Sequence, residues 1–255
     1  MSFAIDGLRT FIERAEAADT VDRSLLVVNR TEPAPVMDLF GAAFDRQTVD
    51  VVEEHIEDAE DDVVLLVEDG EVVASSSLQS IMRAFLMVNV DLYRTGTSGI
   101  DKHGPPAVLT ELDDTVFTLR GFPDSAKEKL LLVLVSRYIE RQALRAGTGR
   151  LRSAFQWLSR VDDELGTRKV YERLCGSGVD VHLYGVPDVT LPASVDATVH
   201  GDRNAAYRRS WFVVFTSPDE NAAMVSIRRD GEWWGTWTHN RKRVAAIDEH
   251  IGRAF

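Results

Sequence analysis

Apolar positions recur at two different periods along this chain, and the switches between those periods predict its elements. Over Phe3–Ala18, Leu8, Phe11, Ile12 and Ala15 fall at i, i+3, i+4 and i+7, the stripe of an amphipathic helix. Residues 24–29 (SLLVVN) form a short apolar run that reads as a strand. A helix follows over 35–44. Pro35 supplies its preset first turn, and Val36, Leu39, Phe40, Ala43 and Phe44 share one face. Residues 48–52 and 63–67 are further strands, and Glu68-Asp69-Gly70 is a hairpin turn into 71–75. The strand–helix–strand opening predicts parallel pairing, and the hairpin makes the sheet mixed.

The same reading continues to the end of the chain. Residues 78–93 are helical, and 94–106 form a loop punctuated by Gly and Pro. A strand covers 116–119. The clearest helix spans 125–146, with Ser125 and Glu128 as a capping box, Pro123 before it and Gly147 as its stop. Its centre, LLLVLV, is apolar all round, which predicts burial on most faces. Residues 149–156 form a strand and 167–175 a short helix with Val170, Tyr171, Leu174 and Cys175 inward. Residues 179–184 alternate, with Val179, Val181 and Leu183 on one face and Asp180, His182 and Tyr184 on the other. Strands at 211–215, 222–228 and 233–237 follow, the last two joined by a tight turn at Asp230-Gly231. Asn240 caps a final helix with Val244, Ile247 and Ile251 inward. The expected fold class is α/β: a mixed β-sheet flanked by helices, with an antiparallel C-terminal portion.

Charge narrows the function classes. The formal net charge is −12, and only Lys102, Lys127, Lys129, Lys169 and Lys242 are lysines. An acidic, lysine-poor surface suits a protein working in a salty cytoplasm, where salt screens self-repulsion. The densest basic run is Arg241-Lys242-Arg243, too short for the basic stripe of a nucleic-acid binder, so no nucleic-acid partner is expected. The single cysteine, Cys175, can form no disulfide within the chain and fits a reducing compartment. The longest apolar run, residues 130–135, is too short to span a bilayer, and no basic n-region with a following apolar h-region opens the chain. A cytoplasmic location without membrane association is the expectation.

Catalytic motifs are lacking. There is no G-x-S-x-G, H-E-x-x-H, P-loop or spaced G-x-G-x-x-G. The run VVLLVED at 63–69 resembles a receiver strand, but the first strand ends in Asn29-Arg30 rather than an acidic pair, which argues against a phosphoacceptor. None of the histidines has i, i+4 spacing; His182, His200 and His239 are the ones that a fold can bring together. Every tryptophan lies in the C-terminal half, among Phe155, Trp157, Tyr171, Tyr184, Trp211, Trp233, Trp234 and Trp237. Gln156 and Arg160 lie among these aromatics, and an arginine in apolar surroundings needs a carboxylate, a carbonyl or a ligand anion. Aromatics with a few directional polar groups are the makings of a small-molecule pocket; equally, they are the makings of a core.

These residues carry a resemblance. Phe155-Gln156 with Arg160, then Gly166-Thr167 with Tyr171 and Leu174, then Val179 through Asp188, resemble the DICT sensory domain family. His200, the run 211–215, Ala222-Ala223, and Gly235, Trp237 and Thr238 continue the pattern. Residues 88–96 and 127–140 look like those of stand-alone haloarchaeal versions. The resemblance implies a sensory or signal-transduction role, with an N-terminal α/β segment at 1–114 packed on a DICT-like domain at 115–255. It names no cofactor and no catalytic residue. A small ligand or a signalling protein is the expected partner, at a site of Phe155, Gln156, Arg160, Tyr171, Tyr184, Trp211 and Trp237, with output through a separate protein. A homo-oligomer is left open. The alternative is an unrecognised hydrolase or transferase, its cleft lined by Arg120, Lys127, Arg137, Arg152 and Arg160. The lack of a nucleophile–base pair disfavours that alternative.

Overall fold

The computed structural model describes residues 3–44, 47–91, 106–120, 129–163 and 165–255. Two mixed sheets organise them. The first carries the order β2-β1-β3-β4, built from β1 (Arg23–Val28), β2 (Asp50–Glu54), β3 (Val63–Glu68) and β4 (Glu71–Ser77). β1 and β2 are parallel, joined by α2 (Ala34–Phe44), and β3–β4 is the expected hairpin. The expected strand at 48–52 is displaced to Asp50–Glu54. Its ladder starts at Ser24↔Asp50, while Gln47 instead bridges Phe117 of the second sheet. Leu26 and Leu65, paired across β1 and β3, belong to neither core, although apolar runs without alternation read as strands covered on both faces.

The second sheet has the order β5-β11-β10-β9-β6-β7-β8. Its strands are β5 (Val116–Arg120), β6 (Arg150–Trp157), β7 (Asp180–Val186), β8 (Thr198–Gly201), β9 (Ser210–Thr216), β10 (Asn221–Arg229) and β11 (Glu232–Thr238). From β5 to β6 all neighbours are antiparallel; β6, β7 and β8 are parallel. The expected α/β class with an antiparallel C-terminal portion holds. Separate strand sets form the two sheets, the first within residues 23–77 and the second within 116–238.

A hydrophobic core covers each face of the second sheet. The first core joins Leu151, Val181, Leu183, Val213, Phe215 and Met224 to α5 (Lys129–Ala146), α7 (Leu165–Cys175) and the inner face of the first sheet. Leu132, Leu134 and Val135 are buried there, as an all-round apolar helix requires. The second core joins Ala154, Tyr184, Phe212, Val214 and Val225 to α1 (Phe3–Ala18) and α9 (Arg241–Ala254). The alternation along β7 is as expected: Val181 and Leu183 face the first core, and Tyr184 the second.

Short elements escaped the periodic reading: α4 (Ala107–Thr110), α6 (Ser159–Asp163), α8 (Ala205–Arg209) and β8. None is longer than five residues, too few to establish a helical or strand period. The helix expected at 78–93 runs as α3 (Leu78–Asp91). The expected loop at 94–106, apart from Pro106, lies outside the described residues. So do the capping box Ser125/Glu128, Pro123, Lys127 and most of the 88–96 motif.

Asn240 caps α9 as expected, its Oδ1 accepting from the backbone N–H groups of Lys242 (3.1 Å) and Arg243 (3.2 Å). Asn240→Ala is expected to cost about 1 kcal/mol, the usual price of an orphaned helix N-terminus, measurable as a lowered denaturation midpoint at unchanged slope.

Candidate functional site

β6 is the shared spine of two buried polar networks, because successive residues of a strand project to opposite faces. Leu151 enters the first core, and Arg152 turns toward α9 on the other face. Near its C-terminal end the ladder to β7 shifts register between Ala154 and Trp157. Within that irregularity Gln156 adopts a φ of 57°, the left-handed region that few non-glycine residues occupy. Bulges of this kind re-aim a side chain. Here the Gln156 side chain is buried, donates through Nε2 to the Ser210 carbonyl (3.0 Å) and accepts through Oε1 from Arg160 of α6. Asp188, just beyond β7, accepts from the Ser159 backbone N–H (3.0 Å) and hydroxyl (2.7 Å) at the start of α6. Burial works against the Asp188 charge, but these bonds outweigh it and hold the carboxyl below its usual range. The C-terminal ends of two parallel strands are thereby tied together. Such ends are where ligands bind in open α/β sheets.

On the first face, α5 meets α7. The Glu140 carboxylate is 3% exposed and accepts from Arg137 Nη1 (2.6 Å) and the Tyr171 hydroxyl (2.7 Å). Arg137 Nη2 also donates to Thr167 Oγ1 (2.6 Å). The pairs 137/140 and 167/171 lie three and four residues apart, so each helix presents both partners on one side. Burial, reinforced by the Glu140 charge, pushes the Tyr171 phenol well up, so it remains a neutral donor. Phe155 of β6 packs edge-on against the Tyr171 ring (5.2 Å, 79°).

On the opposite face, Asp248 of α9 receives two guanidiniums. Arg152 Nε donates to Oδ1 and Arg150 Nη2 to Oδ2, both at 2.7 Å. Arg152 also donates to the Tyr184 hydroxyl. Burial opposes the Arg152 charge, yet the bonds to Asp248 and Tyr184 hold its pKa above the usual value. Tyr184 stacks on His200 (4.3 Å, 6°), and His200 Nε2 meets His182 Nδ1 at 2.8 Å. His239 lies elsewhere, edge-on to Tyr138 and Trp237.

The seven sequence-selected residues thus fall into several places. Phe155 touches Tyr171, and Gln156 bonds Arg160. Trp211 pairs edge-on with Trp233 (5.8 Å, 85°), and Trp237 with His239 (5.8 Å, 63°). Tyr184 is on the far side of the sheet, in the second core. The arginines Arg137 and Arg152 do not share a cleft: each is paired with a carboxylate, on opposite faces. The side chain of Arg120 and all of Lys127 lie outside the described residues. Glu140 and Asp248 were missed by sequence reasoning, although Asp248 left a signal: a carboxylate on the inward stripe of Val244, Ile247 and Ile251. Cys175 packs against the first core, and burial pushes its thiol up to about 11, unsuited to nucleophilic work. Among the described residues no group of His, Cys, Asp and Glu is placed to hold a metal ion, and no helix is long and apolar enough to cross a membrane. A cavity of about 390 Å³ between α1 and the β10–β11 turn is lined by Glu13, Glu16, Arg229 and Trp234, and includes none of the seven residues.

Residues 106–229 match the family model of DICT, the sensory domain in diguanylate cyclases and two-component systems. The matched stretch runs from the start of α4 to the end of β10 and contains β6, α6, α7 and β7. Comparison with curated proteins finds no match. Among solved structures, a polyphosphate kinase from Porphyromonas gingivalis aligns at 11% identity and a TM-score of 0.32, over 96% of this chain and 47% of that one. This chain therefore spans about half the length of that kinase, and a likeness this low carries no argument.

Proposed function

We propose that this chain is a sensory module whose input site is the C-terminal end of β6, where Phe155, Gln156, Arg160 and Tyr171 gather. One observation carries the reading. Gln156 is a buried, non-glycine residue held in a left-handed conformation, and its amide joins α6 to the start of β9. Local strain of this kind costs on the order of 1–3 kcal/mol and persists where function needs it. The DICT match over this stretch supports a sensory role for it. A small ligand or partner engaging Arg160 competes for the Gln156 amide and lets the bulge relax. β6 then shifts against both networks it anchors, so one local event reaches α5 and α9 together. The state passes to a separate output protein in a salt-rich cytoplasm, which the acidic composition favours. Residues 1–114 serve as an N-terminal segment packed on the sensory unit at 115–255.

Native mass spectrometry of protein purified gently from its own host in high salt tests this reading. The expected result is a stoichiometric bound species in the parent chain that Gln156→Ala and Arg160→Ala both lose. A bound species kept in full by both variants places the input elsewhere. A clean apo mass with a co-purifying protein, released by the same two substitutions, makes the input a protein surface rather than a small molecule.

A further inference from the structure

β8 is the edge strand of the second sheet, four residues long, held to β7 by the pairs His182↔Thr198, Leu183↔Val199, Tyr184↔His200 and Gly185↔Gly201. His200 ties it to β7 through side chains, stacking on Tyr184 and meeting His182. His182 Nδ1 and His200 Nε2 are 2.8 Å apart, with the two rings stacked at 5.2 Å. His182 Nε2 lies 2.9 Å from Asp180 Oδ2. An ionised carboxylate only accepts, so Asp180 assigns the His182 proton to Nε2 and leaves Nδ1 bare. His200 Nε2–H then donates to it. A bond between two ring nitrogens needs one of them unprotonated, so the pair holds at most one extra proton while the bond lasts. A second proton makes both nitrogens donors, and two like charges then face each other at hydrogen-bond distance.

We propose that the His182–His200 pair is a proton-sensing latch, whose second protonation releases β8 from β7. The surroundings bias His200 toward its neutral form. From β6, Arg150 and Arg152 bring two guanidiniums against the single carboxylate of Asp248 on α9. From β7 come Asp180 and Tyr184, and from the α8 side Tyr207 with Asp202 near it. Burial, then the neighbouring His182 and Arg152, hold His200 below its ordinary value of 6.5. The sign follows. The unfolded or unlatched His200 binds its proton at a higher pH than the latched one. The first extra proton therefore already weakens the latched form as pH falls below about 6.5, and the second, which breaks the ring–ring bond, completes the release at lower pH. Release is felt further in, because His200 covers the face of Tyr184, whose hydroxyl accepts from the Arg152 bound to α9.

This inference takes the sensory reading as its frame and names the proton as a stimulus. Its readout is separate: imidazole nitrogen shifts of His182 and His200 in the full chain, followed from about pH 8 to pH 5 alongside amide exchange of residues 198–201 corrected for intrinsic rate. Protection of β8 is expected to fall about tenfold for each pH unit below the transition, while β9 and β10 stay protected. His200→Phe keeps a ring on Tyr184 but cannot titrate, and is expected to make β8 protection independent of pH. His182→Gln serves as the second variant, since its amide can still bridge His200, and it too is expected to flatten the response. The latch is refuted if both histidines titrate with β8 protection unchanged, or if the pH response survives in both variants. A working latch together with a bound species retained by Gln156→Ala overturns the β6 input site alone; loss of that species with an inert β8 overturns the latch alone.

Discussion

Asp248→Asn is expected to destabilise the protein by about 3–5 kcal/mol, the usual result of removing one partner from a buried ion pair. Asp248 and Arg152 are each 7% exposed, and no other carboxylate bonds the Arg152 guanidinium among the described residues. The substitution therefore removes the carboxylate from a buried cation and leaves the neutral Tyr184 phenol beside it. Gly252, one turn further along α9, makes room for that guanidinium: a Cβ there would lie 3.0 Å from Arg152 Nη2. Chemical denaturation in high salt reads the loss as a lower midpoint. The double variant Arg152→Met, Asp248→Leu separates the pair's net worth from the cost of breaking it. It is expected to recover most of the loss, because two apolar side chains of similar volume carry no stranded charge. A double variant as unstable as Asp248→Asn would show that the pair itself holds α9 to the sheet.

Glu140→Ala is expected to be comparably severe, about 3–5 kcal/mol, for a related reason on the opposite face. Glu140 is the common acceptor for Arg137 and Tyr171, so its removal takes the carboxylate from a guanidinium and from a fully buried phenol at once and opens a gap between α5 and α7. Tyr171→Phe is the graded comparison. It deletes one donor while Arg137 still neutralises Glu140, and is expected to cost about 1–3 kcal/mol. Equal losses from the two substitutions would mean that the Tyr171 bond, and not the buried charge, dominates the network.

How far the sequence could be read follows from how local each feature is. The helix at Phe3–Ala18 and the alternation along β7 were legible because one residue's environment repeats within a single turn or a single pleat. The cap at Asn240 was legible because its partners are two and three residues away. β8 was not, since four residues hold too few repeats to declare a period. Nor was the conformation of Gln156, because no glycine marks the position and the left-handed φ arises from a mismatch between β6 and its neighbour. Tyr171 and Tyr184 looked equivalent in the sequence as aromatics near one another. The sheet runs between them: Tyr171 packs in the first core and Tyr184 in the second.

By itself, then, the sequence determined the principal helices and strands, the parallel opening and antiparallel close of an α/β fold, a net charge of −12 and the absence of any intrachain disulfide. Only the tertiary structure decided which polar residues meet. Arg152 finds Asp248 across 96 residues, Tyr171 finds Glu140 across 31, and His182 finds His200 across 18. The physical reason is one of range. Backbone periodicity records which way a side chain points relative to its own element, whereas the partner it meets is set by how separate elements pack, and no local pattern encodes that choice.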